Sequence, residues 1–100
     1  TIIGDECKLD NLIHISHRVH IGKGCYFASY ACIGGSCDFG SNVWMGPKSV
    51  VANRITVANN ARILIGSVVI NNIRQNEEVS GNFAIKHEKH LRADARDMFC

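Results

Sequence analysis

A large apolar residue returns at every sixth position from Ile3 to Val69: Ile3, Leu9, Ile15, Ile21, Phe27, Ile33, Phe39, Met45, Val51, Val57, Ile63 and Val69. Four residues after each comes a small or β-branched one, in the series Cys7, Ile13, Val19, Cys25, Ala31, Cys37, Val43, Ser49, Ile55, Ala61, Ser67 and Ile73. Gly, Ala or Ser often follows the large residue directly, as at Gly4, Ser16, Gly22, Gly34 and Gly40. An α-helical stripe repeats about every 3.6 residues and would drift off this frame, while a simple amphipathic strand would alternate residue by residue. The strict longer period suits short strands joined by tight corners. The large residue points inward from each face, the small one fits near a crowded corner, and glycine eases the backbone there. Such units bury their apolar faces by stacking coil on coil, so the expected fold is all-β, a parallel β-helix.

The rest of the composition agrees. A chain of 100 residues is one domain at most, and a globular domain of that size has a thin core; stacked coils escape the limit, and 46% apolar residues supply the interior. The net charge is only +2 and the cations are spread out, which argues against a nucleic-acid partner. The apolar stretch from Ile63 to Ile70 is interrupted by Gly66 and Ser67 and is far short of the roughly 20 residues that span a bilayer. No secretory signal is present. The chain lacks an initiator Met, which points to a processed chain or a fragment. Its five cysteines form no C-x-x-C pair, so reduced thiols and a cytoplasmic location are expected.

The hexad pattern resembles the hexapeptide-repeat family, whose fold is a left-handed parallel β-helix of triangular section. The hand is implied by the resemblance alone, since general chirality favours right-handed crossovers. In that family three hexads make a coil, so residues 18 apart stack at the strand spacing of about 4.8 Å. Three core ladders follow: Ile3, Ile21, Phe39 and Val57; Leu9, Phe27, Met45 and Ile63; Ile15, Ile33, Val51 and Val69. Cys7 and Cys25 fall on one inward ladder, Cys37 on an equivalent one, and Cys32 faces outward; buried thiols of this kind behave as small hydrophobes. Lys8, Tyr26, Trp44 and Arg62 form an outward ladder suited to a subunit contact, and His20 stacks on Asp38 as an ion pair. Residues 1–80 are assigned to the β-helix and 81–100 to a capping segment with a helix over about 84–98. There Leu91, Ala95 and Met98 share a face and Glu88 stands four before Arg92; its expected role is to cover the open end of the solenoid or to pack on a neighbouring subunit.

Three histidines, His14, His17 and His20, lie close together in sequence. On a helix the spacing would suggest a metal site; in a β-helix they fall on different faces, and no metal is expected. The pair of histidines five apart used by the metal-dependent carbonic anhydrases of this fold is absent. The segment from Leu9 to Gly22, however, resembles the active-site repeat of the UDP-3-O-acylglucosamine N-acyltransferases of lipid A synthesis. There the histidine of Ile-Ala-His-Asn-Val is the general base. Ile15 to Val19 match it, with Ser16 and Arg18 as departures, so the resemblance makes His17 the base and assigns Asn11 of the same segment to substrate binding. The chemistry suits the residue: an amine must lose a proton as it attacks a thioester, and histidine, with an ordinary pKa of about 6.5, accepts one at neutral pH. One coil beyond His17 lies Gly35, whose N–H, left unshielded by the Gly34-Gly35 pair, would stabilise the oxyanion as in the family; otherwise the two glycines simply permit a tight corner.

A further coil on, Asn53-Arg54 replaces the family's Gly-His step. Arg54 is a candidate phosphate-binding residue or else a solvated charge. The stretch from Val79 to Ala84 resembles sugar acetyltransferases ending in Gly-Asn-Pro-Ala, with Phe83 in place of proline. The resemblance therefore implies a homotrimeric acyltransferase with sites between subunits. It would need no bound cofactor, would take acyl-acyl carrier protein or acyl-coenzyme A as co-substrate, and would act on the amino group of a nucleotide-linked sugar. One alternative is an acetyl-coenzyme A-dependent sugar O- or N-acetyltransferase. Another is a non-catalytic structural or binding β-helix, because the lipid A enzymes carry a nucleotide-binding domain and additional coils that this sequence lacks.

Overall fold

In the computed structural model, residues 1–82, 84–89 and 91–92 are described. The chain winds as a parallel β-helix with three faces. Strands Ile2–Ile3, His20–Ile21, Asp38–Phe39 and Thr56–Val57 make the first face. Lys8–Leu9, Tyr26–Phe27, Trp44–Met45, Arg62–Ile63 and Glu78–Val79 make the second; His14–Ile15, Cys32–Ile33, Val50–Val51 and Val68–Val69 make the third. All pairings are parallel and join residues one coil apart, as in Ile3 with Ile21 and Phe27 with Met45. In each strand the second residue points inward, and the expected core ladders form: Phe27, Ile33, Met45, Val57 and Ile63 are wholly buried. Phe27 meets Phe39 edge to face at 5.6 Å. The first coil is the exception, with Ile3 43% and Leu9 40% exposed.

The inward positions between strands are small for a packing reason. Cys7, Cys25 and Cys37 each donate a thiol hydrogen bond to a carbonyl in the next coil, at Gly22, Gly40 and Ala52, 3.1–3.2 Å away. Ser49 and Ser67 instead turn back onto Gly46 and Leu64 at 2.6 and 2.7 Å. Burial pushes the Cys25 thiol pKa up, only partly countered by the hydrogen bond from the Val43 backbone.

The glycines after each strand do not serve the purpose expected of them. The left-handed conformation falls two residues further on, at Glu6, Leu12, Arg18, Gly24, Tyr30, Ser36, Asn42, Lys48, Arg54, Asn60 and Gly66, mostly residues other than glycine. Such a backbone is ordinarily unfavourable by about 1–2 kcal/mol per residue. Here it is offset because the N–H of most of these residues bonds to the coil before: Ser36 to the His17 carbonyl, Asn42 to Lys23 and Arg54 to Gly35, at 2.8–2.9 Å. Gly4 and Gly22 are small because a Cβ on either would lie 2.7 Å from the backbone of the next coil.

The last coil is shortened. Val68 pairs with Val50 in the regular register, but Ile73 pairs with Val57, and Ile63 with Val79. Two residues are therefore missing from the corner after Val69. Ile73, expected at a small inward position, instead extends the ladder of large residues and is buried. Helix is present at 87–89 and 91–92, starting later than the expected 84. Leu91, expected on its packing face, is 54% exposed, and Ile85 is exposed too; Ala95 and Met98 lie outside the described residues, as does Phe83. No helix among the described residues is long and apolar enough to cross a membrane.

Candidate functional site

The corner between the third and first faces carries the candidate chemistry. His17-Arg18, Gly35-Ser36 and Asn53-Arg54 stack there in successive coils around a cleft of about 480 Å³. Each pair is the two-residue turn between an inward residue and the preceding strand, so the hexad period alone brings the three levels into line. The shortened last coil removes two residues from this same corner, so the regular column ends at Arg54.

His17 is exposed and folds its ring over Gly35, which is buried. A Cβ on Gly35 would sit 2.7 Å from His17 Nε2 and 2.8 Å from Cε1; the missing side chain makes the space in which the imidazole lies. The structure thus brings together two residues singled out from sequence. The Gly35 N–H, expected to be unshielded, is instead engaged: it donates to Asn53 Oδ1 at 2.7 Å. The Gly35 carbonyl accepts from the Arg54 N–H at 2.9 Å. Arg54 is exposed at the foot of the cleft, and Arg18 supplies a second guanidinium at its head.

Asn11 is not in this cleft. It belongs to the preceding corner, between the second and third faces, where its N–H bonds to Asp10 Oδ1 at 2.8 Å and its carbonyl accepts from Tyr30. The other two histidines flank the corner on strands. His14 Nε2 lies 3.2 Å from Ser16 Oγ on the third face, and His20 Nδ1 lies 3.8 Å from Asp38 on the first, with both side chains largely exposed. The outward ladder from Lys8 to Arg62 forms in register and gains Glu78 at its end. Arg62 lies 5.1 Å from the Trp44 ring centroid and 3.4 Å from Glu78.

Asn53 is the site residue that the sequence reading did not assign. Its signal was available: Asn53 stands one coil below Gly35 just as Asn59 stands one coil below Ser41, whose N–H donates to Asn59 Oδ1 at 2.8 Å.

A three-faced parallel solenoid with a histidine-bearing corner cleft defines a hexapeptide-repeat protein. Residues 1–35 match the family model described as bacterial transferase hexapeptide (six repeats), and the same six-residue period runs on to Val69. The chain is 36% identical over 85% of its length to a UDP-3-O-acylglucosamine N-acyltransferase of Albidiferax ferrireducens, covering 26% of that protein. It is 33% identical over 81% of its length to a probable mitochondrial UDP-3-O-acylglucosamine N-acyltransferase 2 of Arabidopsis thaliana, covering 27% of it. The chain thus spans about a quarter of the length of these curated relatives. Among solved structures it superposes on LpxA of Acinetobacter baumannii with a TM-score of 0.81 and 25% identity, over 93% of this chain and 38% of that one. A soybean serine acetyltransferase shares the fold, with a TM-score of 0.63 at 18% identity, over 80% of this chain and 40% of that one.

Proposed function

We propose that this chain is the β-helical catalytic part of an acyltransferase that moves an acyl group from a thioester to the amino group of a nucleotide-linked sugar. The observation that carries the reading is the His17 imidazole seated on Gly35 in a cleft lined by two arginines. The acceptor nitrogen attacks the thioester carbonyl carbon as His17 Nε2 takes its proton. The N–C bond forms, the C–S bond breaks, and the proton leaves with the thiol. General-base help of this kind contributes about 10²–10⁴-fold. The N–H of Gly35, the residue over which the imidazole lies, is assigned to the developing oxyanion. Arg54 is assigned to a phosphate of the sugar nucleotide, where a guanidinium forms charge-assisted bonds. Asn11, a corner away, reaches the substrate only if a neighbouring subunit presents it, as in a homotrimer with sites between subunits. The donor is an acyl carrier protein or coenzyme A thioester, and the similarity to N-acyltransferases favours an amine acceptor of the UDP-acylglucosamine type in lipid A synthesis.

The engagement of the Gly35 N–H by Asn53 favours a second reading, a binding or structural β-helix without activity. The two are separated by offering acetyl-coenzyme A and a hydroxyacyl carrier protein with UDP-linked amino sugars and following product by mass spectrometry. Product that falls at least about a hundredfold in His17→Ala supports general-base catalysis. Product indifferent to that substitution removes His17 from the mechanism, and no product from folded protein favours the second reading.

A further inference from the structure

The base and the donor of the proposed site converge on one glycine, yet the donor is occupied. Gly35 N–H bonds to Asn53 Oδ1 at 2.7 Å, and the same bond recurs at the adjacent corner between Ser41 N–H and Asn59 Oδ1 at 2.8 Å. An asparagine at the first corner position is therefore a cap for the N–H one coil above it. At both of these corners a glycine precedes the capped N–H and leaves room for the asparagine: a Cβ on Gly34 would come within 2.6 Å of Asn53 Oδ1, and a Cβ on Gly40 would collide with Asn59 Oδ1. The two caps are built alike and differ in their surroundings. Only the Asn53 cap closes on an N–H that shares its residue with a histidine ring.

Resting on the acyltransferase reading, we infer that Asn53 is a gating residue whose side-chain oxygen holds the Gly35 N–H in the resting site and yields it to the thioester carbonyl oxygen during the reaction. Asn53 is exposed, so its side chain has room to turn away, and its bond partner is replaced by the oxygen on which charge develops. An acceptor already in place competes with that oxygen. Removing the competitor speeds the step by the net worth of one such hydrogen bond, about 2- to 10-fold in kcat.

The test compares wild type, Asn53→Ala, Asn53→Gly, Asn59→Ala and His17→Ala in the full chain. Acyl transfer from acetyl-coenzyme A and from a hydroxyacyl carrier protein to UDP-linked amino sugars is measured alongside amide hydrogen exchange at Gly35 and Ser41. Asn53→Ala is expected to raise kcat about 2- to 10-fold and to accelerate exchange at Gly35 alone. Asn59→Ala is expected to accelerate exchange at Ser41 and leave kcat as it was. Asn53→Gly supplies the same answer if the alanine variant fails to fold. His17-dependent transfer that neither Asn53 variant raises overturns the gate while leaving the acyltransferase reading intact. Unchanged Gly35 exchange in a folded Asn53 variant also overturns it. No transfer by wild type or by either Asn53 variant overturns the acyltransferase reading and the gate together.

Discussion

Substituting Gly35 by alanine separates the two demands placed on this corner. The Gly35 backbone lies outside the left-handed region, so alanine is tolerated there without strain. Both backbone hydrogen bonds of the residue survive the change. Alanine also restricts the unfolded chain, which ordinarily stabilises by about 0.4–1 kcal/mol. Against this, the new Cβ falls 2.7 Å from His17 Nε2, where ordinary contact begins at 3.4 Å. The ring must therefore retreat by about 0.7 Å, and because His17 is exposed it can do so by rotation about its own side-chain bonds. The expected net change in stability is within about 0.5 kcal/mol. A misplacement near 1 Å at a reacting centre reduces rate about 100-fold, so a loss of about 10- to 100-fold in kcat is expected, bounded by what complete loss of the base would remove. Thermal unfolding, product formation by mass spectrometry and the His17 ring resonances in a proton–carbon correlation spectrum read the three consequences. Ring resonances that do not move would refute the placement of the imidazole over Gly35. Wild-type kcat with displaced resonances would refute its part in catalysis.

Other substitutions test the solenoid itself. Gly22→Ala puts a Cβ 2.7 Å from the Gly40 carbonyl carbon, a backbone atom that cannot swing aside, so denaturant unfolding should show a loss of about 1–3 kcal/mol where Gly35→Ala shows almost none. Phe27→Ala empties a wholly buried position in contact with Phe39 and should lose about 3–5 kcal/mol by the same measurement. The Cys25 thiol has its pKa raised by burial above the ordinary 9.0. The unfolded chain therefore gives up that proton first as pH rises, and stability present below about pH 9 is lost above it. The melting temperature should fall through this range, and fall less steeply in Cys25→Ala.

The six-residue period was enough to place the strands and the three core ladders, because an inward side chain must recur at each face of each coil. The same arithmetic put Cys7, Cys25 and Cys37 inside, aligned His17 with Gly35 and Asn53 and placed Arg54 beside them, and set Asn11 a corner away from His17. Tertiary structure decided what depends on contacts between coils. Tyr30 and Lys48 adopt left-handed backbone with no local signature for it, since the compensating hydrogen bonds come from the coil above, at Asn11 and Ser29. Ile73 suits either inward position by its chemistry, and only its pairing with Val57 shows that two residues are missing from the last turn of this corner. At the site, the sequence supplied a histidine, a glycine and an asparagine one coil apart. Only the folded corner shows that the asparagine holds the N–H that the glycine was expected to offer, because a hydrogen bond of 2.7 Å is a property of the stacked coils and not of either segment alone.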